Sequence, residues 1–189
     1  DRGWNDPFFQ FSYEERTSFL IPFLTDSEDF QFMEFLQEIK KRSSGLVDFL
    51  VNLTREIHQG WSHQVRNEQN FWEPMQTFEA KTGSCRDLAF MEMQMLRDLG
   101  LATRFVSGYA FNPELEEGHE LHGWVEVFLP GAGWIGLDPS LGLFTDHHHI
   151  PLAVHPDPQR TMPVQGTFAG AAESKLHARV DIKLLHKRK

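Results

Sequence analysis

Cys85 is the single cysteine of the chain, and it lies where a loop turns into a predicted helix. Residues 81–84 read KTGS, and apolar residues recur at helical spacing from Leu88 onward. The first turn of a helix presents unpaired N–H groups and a positive dipole end, which favour a thiolate and could also hold an oxyanion. The sequence therefore indicates a nucleophile. The alternative is a small buried apolar residue, which many lone cysteines are.

A nucleophilic thiol needs a base, and the pattern favours His122. The chain has ten histidines, so the presence of one is uninformative. His122, however, opens a predicted strand and is followed by Gly123 and Trp124. Glycine allows close backbone approach, and the indole could shield the imidazole from water. The alternative is a histidine exposed at a strand end.

A third group fixes the tautomer of such a base, and Asp138 is the candidate. It closes the strand that returns beside the His122 strand. A simple hairpin centred on residues 130–133 pairs Asp138 with Val125 or Glu126, roughly 10 Å along the strand from His122. We therefore expect a bulge or a shifted pairing. Alternatively, Asp138 only begins an ordinary Asp-Pro turn.

The elements that must position these side chains follow an α+β order, with helices before mostly antiparallel strands. Periodicity predicts helices over residues 27–41, with Ser27 as N-cap, over 46–60, and from about 85 to 99. Strands are predicted over 103–109, 122–129, 134–138 and 176–184, and residues 61–83 are predicted to be a loop. Residues 1–25 give no firm pattern.

Composition narrows the classes of function. The net charge of −9 argues against nucleic acid and anionic membrane surfaces as partners. No apolar run is long enough to span a bilayer. One cysteine cannot form an internal disulfide, which fits a reducing, cytoplasmic setting. Because the sequence begins with Asp1 and has no leader-like segment, we expect a processed chain or an excised fragment.

Four segments follow one another along the chain: residues 83–87 (GSCRD), 97–109 (RDLGLATRFVSGY), 122–127 (HGWVEV) and 133–139 (GWIGLDP). Together and in this order, they resemble the bacterial transglutaminase-like superfamily, whose members include candidate cysteine proteases. The resemblance runs from about residue 46 to the final predicted strand, including His149-Ile150 and residues 163–166.

The resemblance implies a papain-like fold with Cys85, His122 and Asp138 on the family's Cys, His and Asp. It implies an N-terminal extension with the first helix over residues 1–45 and a catalytic core over 46–189. An additional β domain, as in larger members, would precede residue 1. The family usually has a small residue such as Ala after its His, where this chain has Gly123. It usually has an aromatic residue three positions after the Asp that follows its Cys; Phe90 stands in this neighbourhood, but the sequence DLAF over residues 87–90 is not the commonest one. These two differences bear on the substrate and not on the chemistry.

Other residues are weaker candidates. Trp72 or Gln76 could donate to an oxyanion, and Trp124 and Tyr109 could contact substrate. The run 146–149 (DHHH) looks like a metal site, but adjacent residues converge poorly on one ion, so we favour a solvated loop and expect neither metal nor cofactor. Glutamates at positions 114, 116, 117 and 120 precede His122 and could rim a cleft.

These features predict cysteine-dependent acyl transfer through a thioester on Cys85, acting on a peptide or protein substrate. Water is the default acceptor, so hydrolysis by a peptidase or amidase is favoured. Protein–glutamine transamidation is the alternative, and a non-catalytic binding module is the third possibility. The oligomeric state stays open.

Overall fold

The computed structural model describes residues 20–24, 32–66, 68, 70–112, 121–164, 166, 169–171 and 179–183. Its α-helices are α1 (Met33–Lys41), α2 (Leu46–Gly60), α3 (Pro74–Ala80) and α4 (Cys85–Asp98). Short 3-10 turns cover Ile21–Phe23 and Pro158–Thr161. The strands are β1 (Ser62–His63), β2 (Thr82–Gly83), β3 (Thr103–Ala110), β4 (Leu121–Leu129), β5 (Gly133–Asp138), β6 (Leu143–Phe144) and β7 (His149–His155).

A five-stranded antiparallel sheet in the order β6-β5-β4-β3-β7 forms one layer. Helix α4 lies across β3 and β4, and α2 packs beside it. The core between them is apolar, because one stripe of each helix and alternate residues of each strand face inward. Its fully buried members include Leu53, Ile57, Leu88, Met91, Met95, Phe105, Val125, Val127 and Leu137. The expected α+β fold, with N-terminal helices packed on an antiparallel sheet, is confirmed.

The first two helices end where the sequence predicts. Helix α2 has the predicted bounds, and α1 ends at Lys41. The predicted cap, Ser27, lies outside the described residues. Leu36 and Ile39 of α1 share one buried cluster with α2 and α4. The division of the chain at residue 45 stays a prediction.

The segment 61–83 was predicted to be a loop, and this is wrong in part. It contains α3 and the two-residue strands β1 and β2, which pair in parallel. Pro74 begins α3, where the missing N–H of proline removes no helical hydrogen bond. The proline therefore starts a helix instead of preventing one.

The C-terminal strand prediction needs a second correction. Residues 176–178 and 184 lie outside the described residues, and 179–183 have no regular secondary structure. The edge position is taken by β7, which the sequence did not predict. Pro151 interrupts its pattern, and a proline is tolerated there because an edge strand has one unpaired side. Among the described residues, no helix is both long and apolar enough to cross a membrane.

Candidate active site

Cys85 is the first residue of α4, and the residues around it fix that start. The backbone N–H and the hydroxyl of Ser84 both donate to Oδ2 of Asp87, at 2.9 Å and 2.6 Å. An acid three residues into a helix that bonds back to the cap residue forms a capping box. The thiol is thereby held in the first turn, where the helix dipole favours negative charge.

Asp87 is a buried junction beneath this turn. It has no exposed surface, and it accepts bonds from Nη1 of Arg66 at 2.8 Å and from the backbone N–H of Trp72 at 2.9 Å. Burial works to raise the pKa of Asp87, but the bonds from Ser84, Trp72 and Arg66 together hold it below its usual value. One carboxylate therefore ties the loop before α3 to the start of α4.

The thiol of Cys85 faces two imidazoles and a backbone N–H. Burial works to raise its pKa, but hydrogen bonding with His122, His63 and the N–H of Gly123 lowers it to about 6. A thiol with such a pKa is largely thiolate at neutral pH. The arrangement therefore provides a nucleophile without a further activating step.

His122, on β4, faces Asp138 at the end of β5. Its Nε2 lies 2.6 Å from Oδ2 of Asp138, which leaves Nδ1 for the thiol. Burial works to lower the pKa of His122, but the bonds to Asp138 and Cys85 raise it to about 10. At neutral pH the geometry therefore favours a thiolate–imidazolium pair oriented by a carboxylate.

Asp138 is itself firmly held. It has no exposed surface, and its Oδ1 accepts from the N–H and hydroxyl of Ser140, at 3.0 Å and 2.7 Å, and from the N–H of Leu141 at 3.1 Å. Burial works against its charge, but the bonds from His122, His149 and Ser140 lower its pKa well below the usual range. Asp138 therefore stays ionised and keeps a fixed direction.

Of the two expected arrangements, a bulge or a pairing shifted towards His122, β4 and β5 show the shifted pairing and no bulge. The ladder runs in regular register from Leu129↔Gly133 to Val125↔Leu137. The turn thus places Asp138 one residue beyond the Val125 pair, and His122 becomes its diagonal neighbour on the same face. Diagonal neighbours lie about 7–8 Å apart, which an imidazole and a carboxylate can bridge.

His149 is a member of the site that the sequence did not identify. It begins β7, its side chain is 5% exposed, and its Nε2 lies 3.1 Å from Oδ2 of Asp138. On the other side of the ring, Nδ1 lies 3.2 Å from the backbone N of Asp146 and 3.3 Å from its Oδ1, so Asp138 and Asp146 hold the imidazole between them. The run 146–149 is therefore not uniformly a solvated loop. The usable signal was only that His149 opens a segment of the family resemblance.

The structure places the weaker candidates for substrate and oxyanion contacts away from the cleft. Trp124 is 1% exposed and its ring lies 5.3 Å from that of His149 and 6.3 Å from that of His122, so it walls the site from behind and does not line the cleft. Trp72 and Gln76 do not line the cleft either, because Trp72 stacks on Arg66 and Gln76 faces solvent from α3. Tyr109 pairs with Leu121 and Ile150 within the sheet, also away from the cleft.

Among the residues that the structure describes, two groups of side chains have metal-ligand chemistry. Ligand atoms of His122, Asp138 and His149 lie within 4.8 Å of one another, as do those of Asp146, His147 and His148. In the first group, the hydrogen bonds to Asp138 already account for this closeness. The acidic residues 114–120 lie outside the described residues.

The thiol opens into a cleft of about 250 Å³. The aromatic residues among its described lining, Phe71 and Phe105, are 8% and 1% exposed and therefore form its floor. The cleft is also lined by His63, Gln64, Val65, Arg66, Ser84, Cys85, Arg86, Ser107, Leu121, His122, Thr161 and Met162. Cys85 is half-buried and lines this cleft.

Comparison with known proteins identifies the family of the chain. The family model described as the Transglutaminase-like superfamily matches residues 34–139, which include Cys85, His122 and Asp138. The chain belongs to this superfamily. A candidate cysteine protease from Cytophaga hutchinsonii has a similar structure, with a TM-score of 0.68 at 21% identity over 93% of this chain and 61% of that one.

Curated relatives match at lower coverage. An uncharacterized protein of Mycobacterium leprae, ML0607, is 28% identical over 54% of this chain and 38% of its own length. A protein-glutamine gamma-glutamyltransferase of Pseudomonas aeruginosa is 33% identical over 33% of this chain and 10% of its own length. The chain thus spans less than half the length of these relatives. The family model shows the superfamily, and the similar structure shows the fold.

Proposed function

We propose that this superfamily member is a cysteine-dependent acyl transferase that acts on amide or peptide bonds, with water as its main acceptor. The observation that carries the proposal is the placement of the Cys85 thiol at the start of α4, with His122 between it and Asp138. A thiolate, a proton carrier and a fixed carboxylate are the parts of a covalent acyl-transfer site.

In this reaction the thiolate of Cys85 attacks the carbonyl carbon and the negative charge passes to the carbonyl oxygen. The C–N bond then breaks while His122 donates its proton to the leaving amine, which yields a thioester and a neutral imidazole. Neutral His122 next takes a proton from water, whose oxygen attacks the thioester. Collapse of the second intermediate releases the carboxylic acid and restores the thiolate–imidazolium pair.

The described walls of the cleft favour water over a lysine side chain. At neutral pH fewer than about one lysine amine in a thousand is unprotonated, so a transamidase needs a site that keeps the amine uncharged. Aromatic walls would supply such a site. Within the described part of the chain, Phe71 and Phe105 are too deeply buried to form one. The reducing, cytoplasmic setting stays a separate prediction.

The proposal is tested by measuring whether water or an amine accepts the acyl group from the same acyl-enzyme. The protein is acylated with p-nitrophenyl acetate in water enriched in oxygen-18, with and without excess cadaverine, and the products are identified by mass spectrometry. A peptide mixture is treated in the same way to test amide cleavage. Cys85→Ala is the control for background reaction.

We expect labelled acetate and newly labelled peptide carboxyl groups, with little cadaverine adduct. A predominance of amine adduct would replace hydrolysis by transamidation and leave the acyl-enzyme in place. Reaction no faster than that of Cys85→Ala would remove the enzyme assignment and leave a binding module.

A further inference from the structure

His63 is a second imidazole at the thiol, and a small parallel ladder holds it there. Strand β1 pairs with β2 so that His63 lies opposite Gly83. The N–H of Ser62 donates to the carbonyl of Lys81 and the N–H of Gln64 to that of Gly83, both at 2.9 Å. The backbone on each side of His63 is thus tied to the segment that leads directly into Cys85.

The two imidazoles have different surroundings. Nε2 of His122 is committed to the buried Asp138. His63 hydrogen-bonds with Cys85, and within the described residues no carboxylate hydrogen-bonds to it. It lines the cleft and is exposed to solvent. His122 is therefore oriented as a proton carrier, whereas His63 is free to turn from the sulfur towards a neighbouring atom.

The charged groups that face His63 favour its protonated form. The bond to Cys85 raises its pKa, burial lowers it, and the charges of Cys85, His122 and Asp138 add opposing contributions. An imidazole N–H donor beside the thiolate is well placed to meet the negative charge that develops in the reaction. As sulfur attacks, negative charge leaves it and appears on the carbonyl oxygen bonded to the attacked carbon, about 3 Å away.

We propose that His63 is a catalytic residue. As negative charge moves from the sulfur to the carbonyl oxygen, its imidazole turns from the sulfur and donates a hydrogen bond to the oxyanion, beside the N–H groups at the start of α4. The assignment rests on the acyl-transfer function proposed above. The two imidazoles then have different roles, because His122 transfers protons and His63 stabilises the negative charge on the carbonyl oxygen. His63 also fills the position for which the sequence suggested Trp72 or Gln76, neither of which lines the cleft.

Two reactions of Cys85 separate this role from simple activation of the thiol. Alkylation by iodoacetamide displaces iodide and forms no oxyanion, whereas acylation by p-nitrophenyl acetate passes through one. Both rate constants are measured at pH 8 for the wild type, His63→Ala, His63→Gln and the control His155→Ala. His155 is a histidine on β7 that does not line the cleft.

We expect His63→Ala to slow acylation by roughly 10²-fold, the usual effect of losing one oxyanion donor, and to slow alkylation by less than about 10-fold. Gln keeps an N–H donor, so His63→Gln should recover part of the acylation rate, and His155→Ala should change neither rate. Because His63 is exposed, its replacement leaves the core intact. Equal slowing of both reactions, or no slowing of acylation, would overturn the role of His63.

Failure of the underlying function gives a different result. It would appear in the wild type itself, as acylation no faster than that of Cys85→Ala, and would overturn both proposals together. If the wild type is acylated rapidly and His63→Ala is acylated at the same rate, only the proposed role of His63 is overturned.

Discussion

At the scale of single residues, the reactivity of Cys85 follows from what surrounds its sulfur. Burial alone would disfavour the thiolate, and the donors on His122, His63 and Gly123 outweigh it. The orienting carboxylate Asp138 is held by two histidines and two backbone N–H groups. The orientation of the His122 ring is therefore fixed by the fold.

The ionisation of Cys85 gives a prediction at this scale. With the pKa of Cys85 lowered to about 6 and that of His122 raised to about 10, the ion pair exists between these values and is lost below pH 6 as the thiolate is protonated. The alkylation rate should therefore rise with a midpoint near pH 6. In His122→Ala the midpoint should move towards that of a free thiol, near 8.5, and the rate at pH 6.5 should fall by more than about 10-fold.

Mass spectrometry of alkylated Cys85 over pH 5–10 measures both profiles, and His155→Ala serves as the matched histidine control. Identical midpoints in the wild type and His122→Ala would contradict the ion pair.

At the scale of elements, helix α4 joins the site to the core. Its first turn carries Cys85 and Asp87, and two turns further Glu92 is fully buried among apolar side chains. Oε1 of Glu92 accepts from the hydroxyl of Thr54 on α2 at 2.7 Å, while Oε2 is buried without a hydrogen-bond partner among the described residues. Burial raises the pKa of Glu92 to about 8, the Thr54 bond lowers it in part, and the charge of Asp138 raises it further.

Glu92 should therefore make stability fall as the pH rises. Between the unfolded pKa near 4.3 and the folded value of about 8, the folded chain binds a proton that the unfolded chain has lost, so the free energy of unfolding decreases across this window. Glu92→Gln removes this titration. We expect it to match the wild type within about 1 kcal/mol at pH 5 and to be more stable by several kcal/mol at pH 9.

Urea unfolding at the two pH values measures the difference. Glu79→Gln, on the exposed face of α3, is the control. The same stability difference at pH 5 and pH 9 would show that Glu92 does not titrate in this range.

At the scale of the whole molecule, one buried carboxylate connects the loop before α3 to α4. Asp87 and Arg66 form an ion pair whose side chains are 0% and 6% exposed. Breaking a buried pair leaves an uncompensated charge, which costs about 3–5 kcal/mol. Because Asp87 also accepts hydrogen bonds from Ser84, the residue before Cys85, stability and activity are coupled through this carboxylate.

Asp87→Asn should therefore lower the free energy of unfolding by about 3–5 kcal/mol at pH 7. The pKa of Asp87 lies below its unfolded value, so its contribution is present above about pH 4 and is lost as the pH falls further. The gap between wild type and variant should consequently narrow at pH 3. Denaturant unfolding at both pH values measures it.

Asp181→Asn provides the matched control, because Asp181 pairs with Arg179 on the surface, where ion pairs contribute little. Equal stability of wild type and Asp87→Asn at pH 7 would refute the role of the buried pair.

The sequence by itself determined the helices α1, α2 and α4, the strands β3 to β5, and the identity of Cys85, His122 and Asp138 as a candidate group. These depend on local periodicity, on a helix start and on segments that recur in a known family. The tertiary structure decided what depends on distant contacts. The parallel pairing of β1 with β2 brings His63 to the thiol, the edge strand β7 brings His149 to Asp138, and the register of β4 with β5 makes a bulge unnecessary. None of these contacts produces a periodic pattern of apolar residues in the sequence. Two-residue strands and an edge strand containing proline are stabilised by their pairing partners and not by their own sequence.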